Sequence, residues 1–289
     1  MKNRFRLTST NYERETEEQK IKPQKIFYLS VEGNITEKEY FNGISKYREK
    51  LGIDFKVNVI VLNRGRKDTN SAPKDILELL EEYLRLRELG SDEIIKEIPE
   101  DFLRSYGENF IKKYIRDPES CSKKERNRFI TDLKKIGYDI NYRKFLKTYE
   151  NEDDEYGILI DRDIQTHSES NMLECIRYCS RKNYKCYIAN PCFEFWLLLH
   201  LVDVRTRYQG QLDDILLNRK ISRQHTFVSK AVSDIAHHCK GDIKFEINYL
   251  PNVDLAVERA KLFEVEEERL VDNLGCNLWK LIDELRKTI

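Results

Sequence analysis

Two aspartates one residue apart follow an apolar run near the centre of the 289-residue sequence. The run reads Tyr-Gly-Ile-Leu-Ile from Tyr156 and leads directly into Asp161, Arg162 and Asp163. It predicts a strand buried on both faces, and open α/β sheets bind ligands where their strands leave the core. Strand residues i and i+2 point to the same side about 6.6 Å apart, and two carboxylates that close favour a cation between them. The alternative interpretation is a turn or a helix cap, which Asp-x-Asp often forms after a strand.

Glu32 occupies the same kind of position after another apolar run. The segment Lys25–Val31 predicts a strand, and Gly33 just beyond it is expected to let the backbone turn sharply. Because ligand sites of parallel sheets lie at the carboxyl ends of the strands, we expect Glu32, Asp161 and Asp163 to meet at one edge. Carboxylate oxygens are the ligands that Mg²⁺ prefers. The sequence therefore predicts a metal site formed by residues far apart in the chain.

Glu37 lies in the first turn of a helix that is predicted to follow Gly33. Thr36 and Glu39, three residues later, fit a capping box that would begin this helix. Glu37 is then either a further metal ligand or an acidic residue favoured by the helix dipole. The sequence leaves both roles open.

Glu194 is the one acidic residue in a segment that is apolar on nearly every side. The segment Phe193–Leu201 predicts a buried helix. A carboxylate inside such a helix must be paired, protonated or bound to a metal, and pairing with an arginine or a backbone amide is the common solution. His200, in the same segment, is expected to be a core histidine with satisfied hydrogen bonds.

The order of predicted elements is β-α-β-α, a helical insertion, β-α-β-α and then further helices. This order indicates a mainly parallel sheet covered by helices on both faces. Strands are predicted at 25–31, 55–62, 156–161 and 184–189. Helices are predicted from 36, from 73 to 89, and near 92–115, 122–147, 168–182, 193–201, 209–218, 226–239, 253–272 and 277–288. The acidic run 150–155 is expected to be a solvated linker.

The net charge is formally zero, with 51 basic and 51 acidic residues. No overall positive field therefore favours nucleic acid, and binding to it would need a local patch. Six basic residues are candidates for phosphate contact, with solvated surface charge as the alternative: Arg64, Arg66, Lys67, Lys230, Lys240 and Lys244.

The seven cysteines show neither zinc-finger spacing nor the density of a disulfide scaffold. Reduced thiols packed in the interior are the simpler interpretation. No apolar run of about 18 residues is present. We therefore expect a soluble cytoplasmic protein that does not associate with membranes.

Three segments together resemble the RloB family, the group that also contains the abortive-infection protein AbiLii. They are Val-Glu-Gly-Asn-Ile-Thr-Glu followed by Tyr-Phe at 31–41, the strand end at 160–163, and Asn-Pro-Cys-Phe-Glu-Phe-Trp-Leu-Leu at 190–198. The third segment is the most specific. The resemblance covers residues 24–289, and 90–152 match poorly.

The resemblance implies an α/β fold with a Toprim-like core, in which helices flank a mainly parallel sheet. The two halves of the core would lie at 23–89 and 153–202. The polar and charged residues 1–22, which show no apolar period, predict a disordered or loosely attached tail. A helical insertion at 90–152 separates the two halves, and a helical part at 203–289 completes the chain.

The Toprim pattern places a glutamate after the first strand and Asp-x-Asp after a later strand. Glu32, Asp161 and Asp163 match these positions. The resemblance therefore implies a nuclease dependent on Mg²⁺ or Mn²⁺, with these three residues catalytic and metal-binding. Glu37 and Glu194 would be further ligands.

Arg162 departs from the pattern, because a cation between the two aspartates would weaken metal affinity unless its side chain faces away.

The resemblance also implies an effector of an abortive-infection, anti-phage system that cleaves DNA or RNA. A partner ATPase encoded by a neighbouring gene would control it. The alternative is a catalytically inactive adaptor of the same fold that binds the ATPase or nucleic acid.

Overall fold

A computed structural model describes residues 7, 23–33, 35–63, 72–88, 94–148, 151–238 and 241–287 of the chain. The chain divides into two compact units. The helical unit comprises 1–20, 63–69 and 79–150, and the sheet unit comprises 21–62, 70–78 and 151–289. None of the described helices is both long and apolar enough to cross a lipid bilayer.

The sheet unit contains a five-stranded sheet in the order β2-β1-β3-β4-β5. Its strands are β1 (Lys25–Val31), β2 (Val57–Leu62), β3 (Glu155–Asp161), β4 (Lys185–Asn190) and β5 (Gly275–Cys276). The first four are parallel, and β5 is antiparallel to β4. The predicted α/β fold with a mainly parallel sheet is confirmed, and the four predicted strands differ from the observed ones by at most two residues at an end.

The strand order places β1 and β3 side by side at the centre, although β2 and the whole helical insertion separate them in sequence. All residues of β1 after Lys25 are buried, as are Ile158, Leu159 and Ile160 of β3. Continuous burial is expected for parallel strands covered on both faces. The central position therefore explains why these two segments are apolar runs rather than alternating patterns.

The described residues also form fifteen α-helices, numbered in chain order. They are α1 (Thr36–Lys46), α2 (Pro73–Glu88), α3 (Ile94–Glu97), α4 (Glu100–Tyr106), α5 (Glu108–Arg116), α6 (Lys123–Lys135), α7 (Ile140–Thr148), α8 (Glu169–Lys182), α9 (Phe193–Leu201), α10 (Val204–Arg207), α11 (Leu212–Leu217), α12 (Phe227–Ala236), α13 (Phe245–Asn248), α14 (Val253–Ala260) and α15 (Trp279–Lys287). Short 3₁₀ turns occur at Glu49–Leu51, Pro118–Ser120, Leu250–Asn252 and Arg269–Val271.

Two long helices predicted for the insertion, 92–115 and 122–147, are each broken in the structure. Gly107, with a φ of 78°, separates α4 from α5. Gly137, with a φ of 84°, lies between α6 and α7. Both glycines adopt the left-handed region that other residues rarely enter, so each break has a local backbone cause.

The helix predicted at 253–272 ends early, at Ala260. The following residues run back beside β5, where the Glu264 amide donates to the Leu274 carbonyl at 3.2 Å. A Cβ on Gly275 would lie 2.1 Å from the Glu264 carbonyl oxygen. Glycine is therefore required at this close approach, which ends the helical pattern that the sequence suggested.

Strand β5, which the sequence does not predict, is extended by a side chain. Asn277 Oδ1 accepts from the Ile188 amide at 2.6 Å, and Asn277 Nδ2 donates to the Cys186 carbonyl at 3.0 Å. The buried Asn277 amide thus satisfies the edge of β4 where the backbone of β5 has already ended.

Helix α9 lies in the core of the sheet unit, as predicted from its apolar sequence. His200 is fully buried, with Nδ1 2.9 Å from the Trp196 carbonyl and Nε2 3.1 Å from the Tyr40 hydroxyl. Burial lowers the pKa of His200 to about 3, so the ring is neutral. The prediction of a satisfied core histidine is confirmed.

The helical unit has its own buried aromatic centre. Phe129 of α6 is fully buried, and the rings of Tyr106, Phe110 and Tyr114 meet it edge-on at 5.0 to 5.4 Å. Aromatic rings prefer such edge-to-face contacts. The alternating charges of this segment therefore surround a small hydrophobic core.

One residue of the predicted tail, Leu7, is described. Leu7 is buried, and its amide donates to Glu82 Oε2 at 3.1 Å within the helical unit. Glu82 also pairs with the buried Arg143, which in turn contacts Glu97 at 2.8 Å. The other residues of the range 1–22 lie outside the described part of the chain.

The acidic run before β3 was expected to be solvated, and at Asp154 this expectation is wrong. Asp154 is buried. Its carboxylate accepts from the Ile26 amide at 2.9 Å and the Asn151 amide at 3.1 Å. The side chain replaces strand partners at the start of β1 and β3, which a count of consecutive acidic residues does not reveal.

Candidate metal centre at the carboxyl end of the sheet

Glu32 and Asp161 come together because β1 and β3 are neighbours. Val31 is paired with Leu159, so the residue after β1 lies beside the last residues of β3. The Asp161 amide and Glu32 Oε2 are 3.4 Å apart. The structure thus brings together two predicted site residues that are 129 positions apart in the sequence.

Asp161 is half-buried and receives one backbone hydrogen bond, from the Phe193 amide to Oδ1 at 2.9 Å. Burial raises the pKa of its carboxyl well above the usual range. The negative charges of Glu32, Glu37 and Glu194 raise this pKa further. Four acidic side chains therefore share one electrostatic environment, as expected for a site that requires protons or a cation.

Glu37 is buried, and its Oε1 accepts from the Gly33 amide at 2.9 Å. Burial raises its pKa to about 7, and the charges of Glu194 and Glu32 add to the shift. A Cβ on Gly33 would lie 2.1 Å from Glu37 Oε2. Gly33 therefore leaves room for the carboxylate of Glu37, and the sharp turn predicted for it is not its main contribution.

The predicted capping box at the start of α1 is wrong. The residue that precedes the helix is Ile35, and no side chain caps it. Glu39 instead accepts from the Ile243 amide at 3.0 Å, because residues from the C-terminal part pack against α1. Glu37 is consequently more than an acidic residue near a helix dipole, since it is buried among other acids.

Glu194 begins α9 and is half-buried rather than fully buried as expected. It occupies the first turn of the helix, where the chain leaves the sheet edge. Burial raises the pKa of the neighbouring Cys192 thiol well above its usual range, and the charges of Glu194 and Asp161 contribute. Cys192 is therefore a protonated thiol beside the acids.

Asp163 and Arg162 are directed elsewhere. Asp163 Oδ1 accepts from the Gln165 amide at 3.2 Å, which is the turn role that the sequence left open as the alternative. Arg162 is buried, with Nε 2.5 Å from the Val271 carbonyl and a terminal nitrogen 2.7 Å from the His167 carbonyl. The arginine thus faces away from Asp161, as the departure from the family pattern allowed.

His167 was missed by sequence reasoning and lies at the site. The ring is buried, and Nε2 is 3.7 Å from Glu32 Oε2. Nε2 has no hydrogen-bond partner among the residues with known positions. The only signal in the sequence is a histidine in the loop that follows Asp163, which alone would not identify it.

Of the six basic residues predicted to contact phosphate, the structure describes two, Lys230 and Lys244. Arg64, Arg66, Lys67 and Lys240 lie outside the described residues. Lys230 pairs with Asp234 on the exposed face of α12. Lys244 is exposed just before α13, with a φ of 49°.

The acids fit a divalent cation in chemistry and charge, but their arrangement is open. Hard carboxylate oxygens suit Mg²⁺ and Mn²⁺, and burial, together with the charges of the neighbouring acids, raises the pKa values of Asp161 and Glu37. Within the described ranges, however, no three His, Cys, Asp or Glu side chains converge closely enough to hold an ion. The six cysteines at described positions are free and buried. Bound metal would therefore have to draw the carboxylates together.

Comparison with known proteins adds a family but no solved relative. The sequence profile described as RloB-like protein matches residues 27–285, which begin in β1 and end in α15. No curated protein and no solved structure matches the chain. The matched range covers most of the sequence and includes the whole acidic cluster. The chain therefore belongs to the RloB-like protein family.

Proposed function

We propose that this RloB-like protein has a Toprim-like core and is a metal-dependent nuclease that hydrolyses phosphodiester bonds of DNA or RNA. The observation that carries the proposal is the meeting of Glu32 and Asp161 at the ends of two adjacent parallel strands. Glu37 and Glu194 extend the same negative field. Family membership supports an association with phage defence, and the nuclease is the function that these acids would provide.

Asp161, Glu32, Glu37 and Glu194 would hold Mg²⁺ or Mn²⁺. Such an ion stabilises negative charge on the phosphate and lowers the pKa of bound water. Asp163 would be a further ligand of the same ion.

In hydrolysis, a water oxygen attacks phosphorus while Glu32 accepts the water proton. The bond from phosphorus to the leaving oxygen then breaks, and this oxygen takes a proton from solvent. His167, 3.7 Å from Glu32, would orient that carboxylate. Glu37, whose pKa burial and the neighbouring acids raise to about 7, would have to release its proton in order to hold the cation.

The proposal includes control by a partner ATPase encoded by a neighbouring gene and action in the cytoplasm. It rests in these two respects on the family resemblance alone. A catalytically inactive adaptor for that ATPase or for nucleic acid is the second candidate. The open arrangement of the acids favours the adaptor, as does the turn formed by Asp163.

Metal-dependent thermal stability and cleavage distinguish the two candidates. We expect Mn²⁺ to raise the melting temperature of the wild type, since a ligand at about 100 times its Kd stabilises by about 2.7 kcal/mol. Asp161→Asn and Glu32→Gln should abolish this rise and the cleavage of labelled DNA and RNA. Asp213→Asn, an exposed acid on α11, is the control that should retain both.

Assays with and without the co-expressed ATPase complete the experiment. A flat melting response to millimolar Mn²⁺, together with no cleavage in either setting, would refute the nuclease. Full cleavage by Asp161→Asn would refute the role of the acidic cluster while leaving a nuclease to be located elsewhere.

A further inference from the structure

A short basic hairpin, residues 218–226, projects from the sheet unit between α11 and α12. Lys220 and Thr226 form an antiparallel bridge. The amides of Ile221 and Ser222 both donate to the His225 carbonyl, at 3.0 and 3.1 Å. Ser222 Oγ accepts from the His225 amide at 3.0 Å. These bonds fix the backbone of the basic hairpin in one conformation, so its side chains are presented by an ordered turn.

The basic hairpin carries three exposed cations, Arg219, Lys220 and Arg223. None of them forms an ion pair with another residue in the described part of the chain, whereas Lys230 on the next helix is paired with Asp234. Ile221 between them is 53% exposed. In a chain with no net charge, this is a local concentration of unpaired positive charge with an apolar side chain at its tip.

The base of the basic hairpin is attached beside the acidic cluster. Asn218 Nδ2 donates to Cys192 Sγ at 3.4 Å, and Cys192 immediately precedes the Phe193 amide that binds Asp161. A second connection comes from the loop after β3, where Gln165 Nε2 donates to the Leu217 carbonyl at 3.3 Å. The base of the basic hairpin is thus attached to the two segments that flank Asp161, the loop after β3 and the start of α9.

Attraction of a phosphodiester substrate requires cations close to these acids. The cluster repels phosphate, and none of its four carboxylates pairs with a lysine or arginine of known position. Lysine and arginine contacts to phosphate provide affinity and orientation without reading sequence. An exposed apolar side chain among the cations adds a surface for the face of a base.

We propose that the basic hairpin binds the sugar–phosphate backbone of nucleic acid next to the acidic cluster. The inference rests on the proposed function and adds to it the residues that hold the substrate. Arg219, Lys220 and Arg223 contact phosphates on one side of the bond that is cleaved. Ile221 packs on the adjacent base. Recognition is independent of sequence.

Binding measured in EDTA tests the basic hairpin without any contribution from metal or cleavage. The probes are fluorescein-labelled 20-nucleotide single-stranded DNA, the same sequence as RNA, and the DNA duplex, each followed by anisotropy over a salt series. The triple variant Arg219→Ala, Lys220→Ala, Arg223→Ala should bind its best probe about 100-fold more weakly at 0.1 M salt, with a slope of log K against log salt shallower by about 2.

The matched control removes three exposed charges elsewhere on the sheet unit, by Arg177→Ala, Arg181→Ala and Lys182→Ala on α8. It should bind within about twofold of wild type, because a loss of net charge alone has little effect through salt-screened water. Both triple variants should have the same melting temperature as the wild type, since the replaced side chains are exposed.

Three outcomes would overturn this inference, and a fourth would leave it standing while it refutes the nuclease. Wild-type affinity in the hairpin variant, equal loss in the α8 control, or no binding of any probe by the wild type would overturn it. Weakened binding without cleavage in any metal would leave the basic hairpin as a nucleic-acid site and refute only the nuclease.

Discussion

Acidic side chains gather at both ends of the central strands, but only one end supplies cations. At the amino end, Glu155 pairs with Lys25 and with Lys185, the latter at 3.3 Å, and Lys185 also contacts Glu284 at 3.1 Å. At the carboxyl end, the acids around Asp161 have no lysine or arginine partner among the described residues. The same sheet thus has a neutralised end that stabilises the fold and a charged end that costs stability.

A cleft in the surface lies at the neutralised end of the strands. A cleft is bordered by Glu155, Asn183 and Lys185, where the acid is already paired. This cleft therefore borders charges that are already paired, whereas the unpaired acids lie at the opposite end of the strands. Unpaired charge, which proteins keep at functional sites in spite of its cost, is the better guide to a candidate functional site.

The largest loss of stability is expected when the amino end of the strands loses the carboxylate of Asp154, which accepts hydrogen bonds from two backbone amides there. Asp154→Ala leaves the buried Ile26 amide and the Asn151 amide without their acceptor. We expect the free energy of unfolding to fall by about 3 kcal/mol, because an unsatisfied buried donor costs about 1–3 kcal/mol. Urea denaturation measures the change. The exposed neighbour variant Asp153→Ala should change stability by less than about 0.5 kcal/mol, and an equal loss there would contradict the role of Asp154.

At the carboxyl end, we expect that neutralising a carboxylate raises the free energy of unfolding instead of lowering it, and Glu37 tests this expectation. Its folded pKa of about 7 lies above the ordinary value of 4.5, so the folded protein holds a proton that the unfolded chain releases between these values. The stability contributed by this proton is complete below pH 4.5 and lost as pH rises through 7. In EDTA at pH 8, Glu37→Gln should therefore raise the free energy of unfolding by about 3 kcal/mol, because the pKa rises from 4.5 to about 7 and each pKa unit corresponds to about 1.4 kcal/mol.

The gain from Glu37→Gln should shrink toward pH 5, which urea titrations at several pH values would show. Millimolar Mn²⁺ should shrink it as well, because a cation relieves the same repulsion in the wild type. Glu49→Gln, an exposed acid in the same unit, should show neither dependence. A loss of stability in Glu37→Gln at pH 8 would mean that the charged end is not under electrostatic strain.

The contrast between the two ends also explains what the sequence could predict. Apolar runs identify β1 and β3, and their carboxyl ends correctly locate Glu32 and Asp161, because burial of parallel strands leaves a clear pattern. The sequence does not state that β1 and β3 are neighbours. That follows only from the strand order, which brings the two residues to one edge across 129 positions.

The misses share a physical cause, since each depends on a partner distant in sequence. The sequence predicts Asp154 to be solvated, but its carboxylate accepts a hydrogen bond from the Ile26 amide of β1. The sequence predicts Glu39 to cap α1, but its carboxylate accepts from the Ile243 amide instead. His167 becomes part of the site only through its 3.7 Å approach to Glu32. Local propensity carries no record of such contacts.

A smaller loss is expected at the amino end when one pairing acid is neutralised. Glu155→Gln removes the charge between Lys25 and Lys185 while keeping an acceptor of similar shape. We expect a loss of about 1 kcal/mol, the upper range for partly exposed ion pairs, and less at high salt. Thermal denaturation at 0.05 and 1 M NaCl checks both. Glu152→Gln, exposed in the preceding turn, should be neutral, and a gain in stability from Glu155→Gln would remove the contrast between the ends.

Substitution of Asp163 should have the smallest effect on stability. It tests whether Asp163 belongs to the group of acids that would hold the ion. Its carboxylate accepts only a partly exposed turn amide, from Gln165 at 3.2 Å, and an asparagine can accept the same bond. Asp163→Asn should therefore change the free energy of unfolding by less than about 0.5 kcal/mol in EDTA. If Asp163 turns toward a bound ion, the same variant must lose much of the Mn²⁺-dependent rise in melting temperature. If the rise is unchanged, Asp163 is a turn residue and the ion is held by Glu32, Asp161 and their buried neighbours alone.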